Sequence, residues 1–324
     1  MLMVMRGGFF LFVVSTGAAL FFSSLAGAQP INVRAAHPSV DVQYLPAYVA
    51  KAKGMFKEEG LEVELIVMVG GRLGVQALAG GGVHFAMQIG ATLPAIWSGA
   101  DFKIVAQMMN TLPFSLMVRP EIQRLEDLRG KRIGLSVGTT TYALVHELLK
   151  VNGFDPEKGF EYVNIAGAAP RIAALEKGLI AAAPMALPAD LKAIQAGFKR
   201  LVFFGDVLPE ISATGLVASS SYIKENPRTV EKMVRAIVRG TFAARDEPAT
   251  AFAVMQGPMK MSAEEARETY RLVRRSLTPV LTETGTRNMA GLVSASSKIT
   301  PTKEPRDYMD GTFLNRVLAE QQKK

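Results

Sequence analysis

Apolar and polar positions follow two alternating periods along this chain. Residues 31–36 form a short apolar run, 44–57 carry apolar residues at helical spacing as far as Gly54, and 61–69 alternate with β-branched residues. That is strand, helix, strand. Helix over 72–78, strand over 83–88, helix over 93–98 and strand over 102–108 follow. The order then begins again, with strands at 131–136, 160–165, 180–185 and 201–204 and helices at 139–151, 170–177 and 188–196. Strands alternating with helices predict mostly parallel sheets covered on both faces, an α/β fold.

The repetition extends to single residues. Ala77-Leu78 precedes Gly82-Val83-His84-Phe85-Ala86, and Ala174-Leu175 precedes Gly178-Leu179-Ile180-Ala181-Ala182-Ala183, while Gly99 and Gly197 each close the next helix. An internal repeat of this size predicts two lobes of one design. Beyond 214–219 the pattern is helical only: Asn226 is placed to cap a helix with Pro227 first in it, and Ser262 with Glu265 spells a capping box. These helices are expected to brace the first lobe, to which the chain must return. The predicted organisation is therefore lobe 1 from 29–112 and 217–324, lobe 2 from 113–216, and a hinge at crossings near 111–115 and 212–216.

Residues 1–28 differ from the rest. Arg6 is the only charge before Arg34, an apolar stretch runs from Phe9 to Leu25, and Ala26-Gly27-Ala28 is a small-x-small site. This pattern predicts a cleaved secretory signal peptide, leaving an exported, periplasmic chain from Gln29. The formal charge of +8 falls by one Arg. The remaining base is scattered, in clusters no larger than Arg129-Lys131-Arg132 or Arg271 to Arg275, and no aromatics interleave with it, so no nucleic-acid partner is expected. The absence of cysteine excludes disulfides, thiolate metal sites, cysteine nucleophiles and a lipoprotein anchor.

Motifs that suggest catalysis lack their partners. Gly134-Leu135-Ser136-Val137-Gly138 matches G-x-S-x-G between a strand and a helix, but the only later histidine, His146, lies in the very next helix. Thr139-Thr140-Thr141 follows a glycine, yet no P-loop lysine accompanies it. His37, His84 and His146 have no metal-ligand spacing, so neither metal nor cofactor is expected.

In open parallel sheets a ligand sits beyond the carboxyl ends of the strands. Those ends carry His37, Ser39, Val40 and Tyr44; Gly70, Gly71 and Arg72; Gln88 and Gly90; and Asn110 in the first half. In the second they carry Gly138, Thr139, Thr140, Thr141 and Met185. Glycines admit close approach, and helix starts offer free N–H groups and a favourable dipole to a carboxylate, sulfonate or nitrate, worth about 0.3 to 1 kcal/mol and up to ~2 when partly buried. Arg72 is a candidate partner for the acidic group, Thr139 to Thr141 for holding it from the other side, and Tyr44 for packing on an apolar part.

The order Ala47-Tyr48-Val49-Ala50, Lys53-Gly54-Met55-Phe56-Lys57-Glu58-Glu59-Gly60-Leu61, Gly70-Gly71 and Leu125-Glu126-Asp127-Leu128-Arg129-Gly130-Lys131 resembles the NMT1/THI5-like family. The likeness covers nearly all of residues 31–220. It implies a two-lobed periplasmic-binding-protein-like clamshell, a monomer, with a small-molecule ligand between the lobes and an ABC transporter permease as partner. It also implies that the loops at 39–44, 70–72, 88–90, 138–141 and 185–187 face the ligand. Where members often carry Asp, this chain has His84 and Ala181, so no particular member's ligand carries over. The family's pyrimidine synthase branch relies on a cysteine-rich iron motif that this chain lacks. A ligand-sensing subunit of a membrane receptor stays open beside transport.

Overall fold

The computed structural model describes residues 29–68, 71–137, 139–208 and 210–321; the predicted signal peptide lies outside them. The first half contains β1 (Ile31–His37), α1 (Leu45–Ala52), α2 (Met55–Glu58), β2 (Leu61–Val67), α3 (Gly71–Ala79), β3 (Phe85–Gln88), α4 (Ile89–Trp97) and β4 (Phe102–Met109). The chain then forms β5 (Phe114–Val118), β6 (Arg132–Leu135), α5 (Thr140–Val151), β7 (Glu161–Asn164), α6 (Ala168–Glu176), β8 (Ala182–Ala186), α7 (Ala189–Gln195), β9 (Lys199–Phe203) and α8 (Phe204–Val207). It returns through β10 (Thr214–Ser219) to α9 (Ser220–Glu225), α10 (Pro227–Asp246), α11 (Pro248–Gln256), α12 (Ala263–Val273), α13 (Glu283–Ser297), α14 (Pro305–Tyr308) and α15 (Thr312–Gln321).

These strands make two sheets of five, ordered β2-β1-β3-β10-β4 and β7-β6-β8-β5-β9. The orders are the same once β1 is matched to β6, so the repeat seen in the residues is a repeat of topology. In each sheet the strand delivered across the hinge is the antiparallel one. β10 runs against both β3 and β4, and β5 against both β8 and β9. Because β10 joins the first sheet from Thr214, that lobe begins three residues before the predicted edge. Two α/β lobes with mostly parallel sheets are otherwise as the pattern implied, and the clamshell is what the resemblance implied.

Local sequence explains the layers. Edge strand β2 buries Leu61 and Val63 and exposes Glu62 and Glu64, whereas β4 is buried at every residue except Lys103. Helix α10 turns Val230, Met233, Val234, Ile237 and Val238 inward against α1. On its outer side Arg235 joins Glu59, Glu231 and Glu320. The capping box of Ser262 and Glu265 forms as expected. Asn226 does not cap α10; its side chain turns back to the carbonyl of Tyr222, at 3.4 Å.

The helices after β10 do more than brace the first lobe. α13 packs against α4 on one side and α5 on the other, so it spans both lobes. An ion-pair chain makes a second link: buried Asp190 of α7 meets Arg200 at 2.6 Å, and Arg200 reaches Glu268 of α12 at 2.9 Å. Hydrogen bonds from Arg271 and Arg200, partly offset by burial, hold the Glu268 carboxyl down at about 2. The crossings themselves are tied together, Ile211 N donating to Asn110 O at 2.8 Å and Ala213 N to Met109 O at 3.2 Å. Ser212 N donates to Gly285 O at 2.9 Å, which fixes the return crossing to α13.

Gly240, in the middle of α10, marks the tightest helix contact. A Cβ there would lie 2.4 Å from the carbonyl oxygen of Pro46 and 2.8 Å from the Ala50 Cβ. Alanine would gain about 1 kcal/mol of helix propensity, but the clash is with backbone of α1, which cannot rotate away. We predict that Gly240→Ala destabilises the protein by about 1 to 3 kcal/mol, the usual cost of overpacking, measured as a lower urea midpoint; an unchanged or higher midpoint would contradict this packing.

Candidate functional site

Topology decides which loops share a space. β4 leads into the crossing toward lobe 2, and β4 runs parallel to β1, β2 and β3, since β10 opposes both β3 and β4. The carboxyl ends of those four strands therefore point at lobe 2. By the same reasoning β6 to β9 end toward lobe 1. The packing agrees: Leu187, just after β8, and Phe203, ending β9, are buried among lobe 1 core residues. The predicted strand-end loops of both halves thus lie on the sides of the two lobes that are turned toward each other.

The loop after β1 is held from within. The ring of His37 is fully buried, its Nδ1 lies 2.7 Å from the carbonyl of Ser39 and its Nε2 lies 3.2 Å from the hydroxyl of Tyr48. A carbonyl can only accept, so Nδ1 carries the proton and Nε2 accepts from Tyr48. Ser39 donates its hydroxyl to Asp41, which also accepts from Gln43 N at 2.9 Å. Tyr44 is 2% exposed and packs its ring 5.1 Å from that of His37. His37 and Tyr44 were expected to touch a ligand; with one ring fully engaged and the other enclosed, they set the loop's shape instead. Ser39 and Val40 are left at its surface, Val40 being 38% exposed.

Gln88 acts in the same indirect way. Its amide donates to Gly71 O at 3.1 Å and fills the space beneath the first turn of α3, where a Cβ on Gly71 or Gly74 would come within 3.1 Å of it. This is why glycine begins that helix, and it holds Arg72 out in the open, with no ion-pair partner among the described residues. Gly90 is inside α4 rather than in a loop, and a Cβ there would lie 3.0 Å from the Met289 sulfur of α13. Its role is close helix packing. Asn110 serves the hinge, with its N–H on Ser276 O and its carbonyl on Ile211 N. Gly70 and Gly138 lie outside the described residues.

In lobe 2 the three threonines divide the work. Thr139 and Thr140 are exposed and Thr141 is buried. Thr139 stands at the cap of α5 but makes no side-chain cap; its hydroxyl goes to Ser136 O at 2.7 Å, and its carbonyl accepts from Tyr142 N at 3.0 Å and Ala143 N at 3.1 Å. Met185, expected at the ligand, is fully buried among Met117, Leu175 and Ala193 and belongs to the lobe's core.

A residue the sequence did not single out organises this end. Arg171 of α6 is 5% exposed, and its guanidinium reaches Ile165 O at 3.0 Å, Pro184 O at 2.8 Å, Ser136 Oγ at 3.0 Å and Thr141 Oγ1 at 3.4 Å. All four partners are neutral oxygens, and burial lowers its pKa. A buried cation without a counter-charge favours negative charge nearby. The signal available in the sequence was an arginine one turn into a helix whose other residues, up to the closing Glu176, are small or apolar.

Two further expectations are settled by geometry. Ser136 of the G-x-S-x-G match is hydrogen-bonded by Arg171, which cannot accept a proton and so cannot serve as base. His84 sits at the amino end of β3, opposite the crevice, where its Nδ1 accepts from Arg34 N at 3.0 Å. Ala181 occupies the matching place before β8. The exchange of acids for His84 and Ala181 therefore changes strand entry, far from the strand-end loops.

Two open-sheet lobes joined by paired crossings, with apposed strand-end loops, define the bilobal class of binding folds. The chain belongs to the NMT1/THI5 like family, whose model matches residues 41–251. YtlA of Bacillus subtilis (strain 168), named only as a binding protein, is 27% identical over 215 residues, 64% of this chain and 64% of that protein. The chain thus spans just under two thirds of that relative's length. Among solved structures, the periplasmic aliphatic sulphonate binding protein SsuA from Escherichia coli superposes with a TM-score of 0.72 at 15% identity, over 89% of this chain and 99% of that one. The desulfurization enzyme DszB does so with a TM-score of 0.67 at 16% identity, over 90% and 99%.

Burial lowers the His37 pKa from its ordinary 6.5, against the hydrogen bond to Ser39 that raises it. The folded chain then binds this proton less readily than the unfolded chain, so acid favours unfolding: stability is full above about pH 6.5 and falls as pH drops toward the folded value. His84 and His146 shift the same way. We predict a lower urea midpoint at pH 5.5 than at pH 7.5, and a smaller drop in His37→Gln; an equal drop would contradict the buried neutral ring.

Proposed function

We propose that this protein is an extracytoplasmic solute-binding protein: it captures a small anionic solute between its lobes and presents the closed form to the permease of an ABC importer. The observation that carries the reading is Arg171, a buried guanidinium with only neutral partners, placed beneath the uncapped start of α5 on the crevice side. Arg72 adds an exposed cation from the opposite lobe. A carboxylate, sulfonate or nitrate held between Arg72 and the start of α5 would meet the exposed hydroxyls of Thr139 and Thr140 and draw on both positive charges, with Arg171 acting from beneath.

The mechanism needs no bond to be made or broken. Closure follows if the solute contacts both lobes, because only differential affinity for the closed form shifts the population; going from 1:99 to 99:1 takes about 5.5 kcal/mol. The engaged state of Ser136 and the family membership both support capture over catalysis, even with an enzyme among the structural neighbours. Export to the periplasm and a monomeric state are part of the same proposal. No helix among the described residues is long and apolar enough to cross a membrane.

Thermal denaturation in the presence of alkanesulfonates, taurine, nitrate, aliphatic and aromatic carboxylates and neutral pyrimidines tests this reading. A solute at a hundredfold excess over its Kd should add about 2.7 kcal/mol of stability. At least one anion should raise the melting temperature, and Arg72→Gln should weaken its binding by about two- to fivefold, as for an exposed ion pair. A shift confined to the neutral compounds, or no shift with any of them, would overturn it.

A further inference from the structure

The basic run Arg271 to Arg275 plays no part in the crevice. It lies on the helical bundle of lobe 1, where the end of α10, the length of α12 and the turn after it surround a cavity of about 530 Å³. Five arginines line it: Arg245, Arg267, Arg271, Arg274 and Arg275. Two of them have carboxylate partners, Arg245 with Asp246 at 2.8 Å and Arg271 with Glu268 at 2.7 Å. Arg267, Arg274 and Arg275 have none within ion-pair distance among the described residues.

The cavity is held in shape. The carbonyl of Arg245, at the end of α10, accepts from the hydroxyl of Tyr270 and from Arg274 Nε, the latter at 3.0 Å, which binds the three segments to one another. The Arg245 guanidinium is steadied 4.9 Å above the ring of Phe242. Neighbouring cations repel one another, and of the three without a carboxylate only Arg274 has a packing role; Arg267 and Arg275 make no hydrogen bond or ion pair among the described residues. Every cation lining it is arginine, the side chain whose planar fork matches phosphate oxygens in pairs.

We propose that this cavity is a second binding site, for a phosphate-type polyanion, separate from the crevice and independent of the solute carried there. With Asp246 already paired to Arg245, the lining leaves an excess of positive charge suited to a group with several charged oxygens, borne either by a free phosphorylated compound or by a phospholipid headgroup.

Pyrophosphate titrated calorimetrically into the full chain at about 0.15 M salt should bind saturably. The double variant Arg267→Gln/Arg275→Gln removes two side chains with no intramolecular hydrogen bond among the described residues, so the fold should hold, and melting checks that it does. It should weaken pyrophosphate at least tenfold, while Arg306→Gln on α14 and Arg72→Gln at the crevice leave it unchanged. Co-sedimentation with phosphatidylglycerol vesicles, but not phosphatidylcholine vesicles, lost in the same double variant, would assign the lipid-borne source; its absence with pyrophosphate binding intact assigns the free one. No saturable binding of pyrophosphate, equal binding by the double variant, loss in Arg72→Gln, or binding of polyglutamate alone would overturn the proposal.

Discussion

The two crossings between the sheets are bonded to each other, and most of the molecule's behaviour descends from that arrangement. Ile211 and Ala213 donate to Asn110 and Met109, so the outgoing and returning segments lie side by side. Each then enters the next sheet as its antiparallel strand. With those two directions set, every other strand must end facing the opposite lobe. A crevice lined by strand-end loops follows from connectivity before any side chain is considered, and it lies where helix starts and glycine turns gather.

Much of this could be read from the residues. The paired motifs around Val83 and Ile180 announced two lobes of one design, and they proved to occupy matching positions at the amino ends of β3 and β8. Most strands and helices fell close to their expected places because their periodicity is local; β5 (Phe114–Val118) was not expected. What the sequence could not show was direction and depth. β5 and β10 are short apolar runs whose antiparallel sense depends on partners more than 60 residues away for β8 and more than 100 for β3 and β4. Nor does spacing show that α13 packs on both lobes, since one apolar stripe can serve two neighbours.

The site was legible as a set of loops and less so as a set of contacts. His37, Tyr44 and Gln88 are polar residues at strand ends, which is where ligand contacts are sought, but His37 and Tyr44 spend their rings on their own loop and Gln88 its amide on the start of α3. Gly90 went into packing because α4 starts at Ile89, four residues before the expected 93, and Met185 because its side chain lies in the core of lobe 2. Arg171 went unnoticed for the opposite reason. A single arginine in a helical stretch normally points to solvent, and only the fold shows it turned inward onto the carbonyls of Ile165 and Pro184 and the hydroxyls of Ser136 and Thr141. Arg72, Thr139 and Thr140 are thus left as exposed donors around buried residues that hold the loops in shape.

Closure of one lobe on the other is the event on which capture depends, and a chain without cysteine allows it to be watched directly. Leu73 and Val137 are 55% and 54% exposed, on strand-end segments of opposite lobes, so cysteines placed there can carry spin labels without disturbing the core. The distance between the labels should shorten as propanesulfonate, taurine, nitrate or benzoate is titrated in, for whichever of these binds by calorimetry. Saturable binding of such an anion with no change in that distance would contradict the clamshell account.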